Sequence, residues 1–173
     1  MAEKSNRLRK KAKVHCDEVE VATIPAASSS ARRHFVQIAD QVVNGWMTLK
    51  EADNPSESPH SWFKRNMYRL IKAYLDEGRQ DLFGEIARRS GRPLVGLQYI
   101  EDNPFKLALF GMWSGNESLS RHYQRVFGTQ MLYAYRHDVP PEHLIGFIHV
   151  AGSPTAIAKK LASGDREPGF PPA

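Results

Sequence analysis

At 173 residues the chain has the length of one domain and can bury a sizeable core. Its 41% apolar and 25% charged residues set it apart from disordered tails and from membrane chains. A single cysteine, Cys16, excludes an internal disulfide, and the histidines (His15 next to Cys16, then His143 and His149) match no zinc-ligand spacing.

The net charge of +5 belongs to one end of the chain. Within residues 1–13, Lys4, Arg7, Arg9, Lys10, Lys11 and Lys13 face Glu3 alone, and the remainder is electrically balanced. Residues 1–30 read as a basic arm and linker that closes on Ser28-Ser29-Ser30. The arm cations Arg7, Arg9, Lys10, Lys11 and Lys13 suit the phosphates of DNA or RNA. A charge run without aromatics is equally a solvated tail. No apolar run follows the arm as in a secretory signal, and no apolar stretch spans a bilayer, so no membrane span is expected and the expected compartment is cytoplasmic. Val19, Val21 and Thr23 alternate as an edge strand does.

A single domain is expected over 31–163, followed by a Pro- and Gly-rich flexible tail over 164–173. Its first helix starts after Ser30, buries Phe35, Ile38, Ala39, Val42 and Val43, and ends at Gly45. The second has Ser58 as cap and Pro59 in its first turn. Phe63, Met67, Leu70, Ile71 and Tyr74 mark its buried face, and Gly78 stops it. Arg65, Arg69 and Lys72 form a stripe on another face. Such a stripe is either a solvated surface or a phosphate contact.

A short third helix covers 82–89. Beyond Gly91, the apolar runs 93–100 and 106–112 are split by Glu101-Asp102-Asn103-Pro104 and read as strands. A helix then leads from Asn116 to Gly128 with Leu119, Tyr123, Val126 and Phe127 buried. Strands follow at 131–136 and 144–150, and Ser153-Pro154 opens a last helix to about residue 162. The sum is an α/β fold, a small mixed sheet preceded by helices.

The segment 82–100 resembles the helix-turn-helix of Lac-type repressors. Ala87 stands where the helices cross, Gly91 in the turn, and Ile86, Leu97 and Ile100 at the apolar contacts. Arg92 and Gly96 depart from that pattern.

The same stretch, read onward from Glu85, resembles the ParB/sulfiredoxin superfamily. The order is a helix closing at Gly91, a Pro93-led strand, a strand over 106–112, and the loop Ser114-Gly115-Asn116-Glu117. A helix to Gly128 and a strand over 130–136 complete it. In size and character the chain is similar to plasmid fertility-inhibition proteins of the oncogenic-suppression type. The resemblance implies a ParB/sulfiredoxin-like fold, DNA and nucleotide binding, DNase or ATPase chemistry with ATP and a divalent metal ion, and inhibition of conjugative or T-DNA transfer. It also implies partners among conjugation or type IV secretion components. Where ParB proteins carry Gly-Glu-Arg-Arg, this chain has Gly115-Asn116-Glu117-Ser118, and its first arginine is Arg121. The loop cysteine of sulfiredoxins is missing, which excludes sulfinic-acid reduction.

The loop has a physical reading of its own. Gly115 permits close backbone approach, Asn116 or Ser118 caps the helix, and free amides at a helix start attract phosphate. Arg121 and Arg125 lie four apart and share a face. Gly115, Asn116, Ser118, Arg121 and Arg125 are therefore the expected nucleotide or phosphate site, the alternative being a capped helix with a solvated arginine pair. Glu117 and His122 are the candidate catalytic pair, a carboxylate to hold a metal or orient water and an imidazole to move a proton. No nucleophile-elbow signature points to triad hydrolysis.

The functional expectation is a nucleic-acid-binding protein with DNase or ATPase activity. Its alternatives are a non-enzymatic helix-turn-helix regulator and a protein-interaction inhibitor. A strand over 94–100 favours the first, and a helix there favours the second.

Overall fold

The computed structural model describes residues 12–91, 96–112 and 119–170. Within them lie seven α-helices: α1 Ser28–Glu51, α2 Pro59–Asp76, α3 Asp81–Arg89, α4 Pro104–Met112, α5 Arg121–Tyr135, α6 Leu144–Ala151 and α7 Pro154–Ser163. Among the described residues there is no strand and no sheet. The nearest approach is one isolated bridge between Val14 and Pro55. The expected α/β fold with a small mixed sheet is thus replaced by an all-helical one.

The helices with clear amphipathic spacing form where the sequence puts them. In α1, Ala31, Phe35, Ile38, Ala39, Val42, Trp46 and Leu49 repeat at three and four residues and are all buried. In α2, Trp62, Phe63, Met67, Leu70, Ile71 and Tyr74 do the same, and the helix runs into Gly78 with φ of 69°. The two pair along their length, and Trp46, Phe63, Tyr74 and Phe83 form the aromatic centre of the core. The closest pairings among the remaining helices are α3 with α4, α4 with α5 and α5 with α7.

Three expected strands are corrected. The run 106–112 is the body of α4, 131–136 is the second half of α5, and 144–150 is α6. The first run, 93–100, lies partly outside the described residues; its described part forms a one-turn 3-10 helix, Leu97–Tyr99. Each of the three corrected runs is short and carries apolar residues on more than one side. A period of 2 and a period of 3.6 are then equally absent. In α5, for example, Phe127, Gly128, Gln130, Met131, Leu132, Tyr133 and Ala134 are all buried. The strand order that carried the ParB/sulfiredoxin resemblance is not formed among the described residues. Nor does an α-helix follow α3 at the helix-turn-helix position, since Leu97–Tyr99 is a single 3-10 turn and α4 starts only at Pro104.

Two glycines read as helix stops are helix crossings instead. Gly45 sits inside α1, where a Cβ would run into the Trp62 ring of α2. Gly128 sits inside α5, where a Cβ would come within 2.5 Å of Lys106 Cγ and 3.1 Å of its amide nitrogen. The start of α5 also moves. Ser120, not Asn116 or Ser118, caps it, its hydroxyl accepting the Tyr123 amide at 3.3 Å.

Both ends of the described chain are strapped to the bundle. The segment expected as an edge strand is extended but pairs with side chains rather than with a ladder. The Val19 amide donates to Asn66 Oδ1 (2.8 Å), Trp62 Nε1 donates to the Cys16 carbonyl (3.1 Å), and Arg79 donates to the Pro25 carbonyl (3.1 Å). At the other end, the segment read as a flexible tail is held as far as Phe170. Glu167 accepts from Lys160 Nζ (2.7 Å) and the Tyr133 hydroxyl (2.9 Å), and its amide donates to His137 Nε2 (2.9 Å). His137 Nδ1 donates in turn to the Tyr133 carbonyl (2.7 Å), which fixes the neutral tautomer of a ring only 4% exposed. Phe170 packs edge-on against His137 and Phe147.

Candidate functional site

The connection from α3 to α4 builds one wall of a groove. Gly96, with φ of 88°, turns the chain into the 3-10 turn Leu97–Tyr99. Leu97 is buried beneath it and Tyr99 stands 79% exposed above it. The turn is tied by the Tyr99 amide to the Gly96 carbonyl (3.1 Å) and the Ile100 amide to the Leu97 carbonyl (2.9 Å). Asn103 then joins two helices. Its Oδ1 accepts the Lys106 amide at 3.0 Å, capping α4 ahead of Pro104, and its Nδ2 donates to the Gly128 carbonyl of α5 at 3.2 Å. Gly128 lets the Lys106 backbone settle directly on α5.

The result is a cavity of about 470 Å³ whose lining includes Lys106 from α4, Arg121 and Arg125 from α5, and Tyr99 and Ile100 from the turn. Gln124 lines it too and donates to the Leu119 carbonyl (3.0 Å) at the root of α5. Among the described residues none of the three cations has a carboxylate within ion-pair distance. Burial holds the Lys106 ammonium below the ordinary lysine value; Asp102 opposes this, and Arg125 adds a smaller push downward. Three like charges, the lysine held at a cost of burial, thus line one concavity together with an exposed aromatic ring.

Further cations flank the opposite face of α5. Tyr123 and Phe127 pack on His60 of α2, with ring centroids 4.9 and 5.7 Å away. Lys64 lies over Phe127 at 5.1 Å and donates to Gln130 Oε1, and Lys50 lies over Trp46 at 4.7 Å. Burial first, then Lys50 and Lys64, lower the His60 imidazole below its ordinary value.

The residues expected from sequence divide between these surroundings. Arg121 and Arg125 share the groove. His122 is exposed, lies edge-on to Tyr123 at 5.7 Å, and is not part of the groove lining. Gly115, Asn116, Glu117 and Ser118 lie outside the described residues, as do Arg7, Arg9, Lys10 and Lys11; Lys13 is exposed where the extended segment begins. The stripe of Arg65, Arg69 and Lys72 is occupied by carboxylates. Arg65 binds Glu57 through two bonds (2.9 and 2.8 Å) and Glu18 through a third (2.7 Å). Arg69 also pairs with Glu18, and Lys72 pairs with Asp76 (3.0 Å) and Asp138 (3.2 Å). This stripe anchors the N-terminal strap and the start of the loop after α5.

Lys106 and Tyr99 were not singled out from sequence. One signal for Lys106 was available: Asn103-Pro104 is a cap followed by an N1 proline, and this places Lys106 in the first turn of a helix. No group of three or more His, Cys, Asp or Glu side chains converges among the described residues, so none of them fits a cage for the divalent ion that the resemblance implies. No helix among them is long and apolar enough to cross a membrane. Set against family models, curated proteins and solved structures, the chain has no match.

Proposed function

We propose that this chain binds nucleic acid, with backbone phosphates held in the groove by Lys106, Arg121 and Arg125. The observation that carries this reading is the convergence of three cations without an ion-pair partner among the described residues, one of them depressed by burial. An anion would pair these charges, and a phosphodiester is an anion that two arginines and a lysine fit. The basic arm adds a second, sequence-independent attraction. The described chain begins near the start of α5: Val14 hydrogen-bonds Asn54 and Ser56, and His60, just beyond in the chain, stacks on Tyr123.

The test is fluorescence anisotropy with a labelled oligonucleotide over a salt series. It compares the intact chain, Arg121→Ala/Arg125→Ala, and a charge-matched control, Arg136→Ala/Lys159→Ala, whose side chains are exposed elsewhere. The groove variant is expected to bind at least about tenfold more weakly and to lose close to two from the salt slope, with the control within about twofold of the intact chain. Equal losses in both variants, or no binding by the intact chain, overturn the proposal.

A further inference from the structure

We infer that the groove takes a single strand, with one unpaired base stacked on the Tyr99 ring and the neighbouring phosphates on Lys106, Arg121 and Arg125. This rests on the nucleic-acid reading above and narrows it to a substrate class.

Three features carry the inference. Tyr99 is 79% exposed and has no ring partner among the described residues, whereas the other aromatic side chains around α5, among them His60, Tyr123 and Phe127, stack on one another. An isolated exposed aromatic on a mobile loop carries little meaning, but Tyr99 is not so placed. Buried Leu97 anchors its turn from below, the Gly96 carbonyl holds the Tyr99 amide, and the Asn103 amide donates to the Ile100 carbonyl at 3.0 Å. The ring therefore stands on a hydrogen-bonded turn and presents its face to solvent, and exposed aromatics are where unpaired bases stack, because every base has a π face.

The second feature is shape. The cations line a concavity of about 470 Å³ rather than a convex ridge. Readers of duplex present a protruding helix or ribbon to the major groove. Here Arg121 and Arg125, exposed on α5, share a concavity with Lys106 of α4, a shape that suits a single strand better than a duplex.

The third feature is chemical division within one site. Tyr99 and Ile100 supply apolar surface to the same groove that Lys106, Arg121 and Arg125 line, which matches a base joined to its phosphates. A free phosphate or a bare polyanion uses only the second half.

The experiment measures anisotropy at one salt concentration with four labelled probes of equal length: a mixed-sequence DNA strand, its RNA counterpart, the DNA duplex, and a DNA strand of abasic units. The intact chain is expected to hold the single strands about tenfold more tightly than the duplex or the abasic strand. Tyr99→Ala is expected to bring the normal strand down to the abasic level with the salt slope unchanged, and Tyr99→Phe to retain the intact affinity. The DNA and RNA arms decide which sugar the site accepts. Because Tyr99 is exposed, its variants should melt with the intact chain, which separates lost stacking from lost folding. Duplex and abasic strand bound as tightly as the normal strand, with Tyr99→Ala silent, overturn the stacking inference and leave phosphate binding standing. Absence of binding to every probe overturns both.

Discussion

Lys106 is a lysine kept where its charge is disfavoured. It is half-buried, and Asp102, although it outweighs the smaller repulsion from Arg125, does not make up for the burial. Nothing in the packing of α4 requires an ammonium there; what the position needs is the aliphatic stem that lies on Gly128. Lys106→Met is therefore expected to raise Tm by about 2 °C, on the order of half a kcal/mol after solvent screening, while weakening oligonucleotide binding. Thermal melts beside anisotropy check it, and a variant that both melts earlier and binds less would make Lys106 a structural residue. Glu18 and Glu167 show the opposite case. Burial alone raises each carboxyl, but hydrogen bonds from Arg65 and Arg69 to Glu18, and from Lys160 and Tyr133 to Glu167, outweigh it and leave both below the ordinary 4.5. A folded-state value below the unfolded one stabilises above the unfolded value and is lost as pH falls through the folded one. Stability is thus expected to fall as the medium is acidified below about pH 4.5, with both straps loosening in that window. Urea midpoints of the intact chain and Glu18→Gln/Glu167→Gln at pH 7 and pH 3.5 test this. The variant should start lower and lose less, and parallel losses would show that other groups carry the acid response.

At the scale of elements, glycine has two meanings in this chain. Gly78 and Gly91 follow their helices with φ of 69° and 72°, and reading them as stops agrees with their geometry. Gly45 and Gly128 are helical, and their missing Cβ is what lets α1 meet Trp62 and α5 meet Lys106. Replacing an ordinary mid-helix glycine by alanine stabilises by up to about 1 kcal/mol. Gly45→Ala is instead expected to destabilise by roughly 1–3 kcal/mol, because the Trp62 ring is 1% exposed and has no room to retreat. Chemical denaturation decides the sign, and a stabilised variant would refute the close-crossing account. The same distinction explains what the sequence made legible. The second, third and last helices could be placed because Ser58-Pro59, the compact run ending in Arg89, and Ser153-Pro154 combine end signals with amphipathic spacing. The continuation of α1 was also written in the chain, since Val42, Trp46 and Leu49 keep the spacing straight through Gly45. In α4, α6 and the end of α5 the apolar residues go all the way round, and β-branched and aromatic side chains then imitate strands. For the site, Arg121 and Arg125 were legible as a pair four apart, whereas Lys106 and Tyr99 reach them only through the α4–α5 crossing, which no local pattern encodes.

At the scale of the whole molecule, charge is divided between a balanced body and a basic end. Residues 1–13 carry the entire net +5, and in the body the Arg65, Arg69 and Lys72 stripe is neutralised by Glu18, Glu57, Asp76 and Asp138. The body therefore has little long-range pull of its own, and one local excess lies beside α5. Attraction at a distance and contact at the groove are then separable functions. Deleting residues 1–13 removes the first and leaves the second. The deletion spares the bonds that root the strap, from the Val14 amide to Asn54 (2.9 Å) and from the Ser56 amide to Val14 (2.8 Å), so Tm is expected to stay within about 2 °C. Association with single strands is expected to slow by roughly tenfold at low salt and to become nearly salt-independent in rate, because steering by the arm is lost. Dissociation, set by the groove, should change far less. Stopped-flow kinetics over a salt series resolve the two rates. A deletion that accelerates dissociation and leaves association untouched would mean that the arm clamps the bound strand rather than recruiting it, and that the groove alone does not hold the ligand.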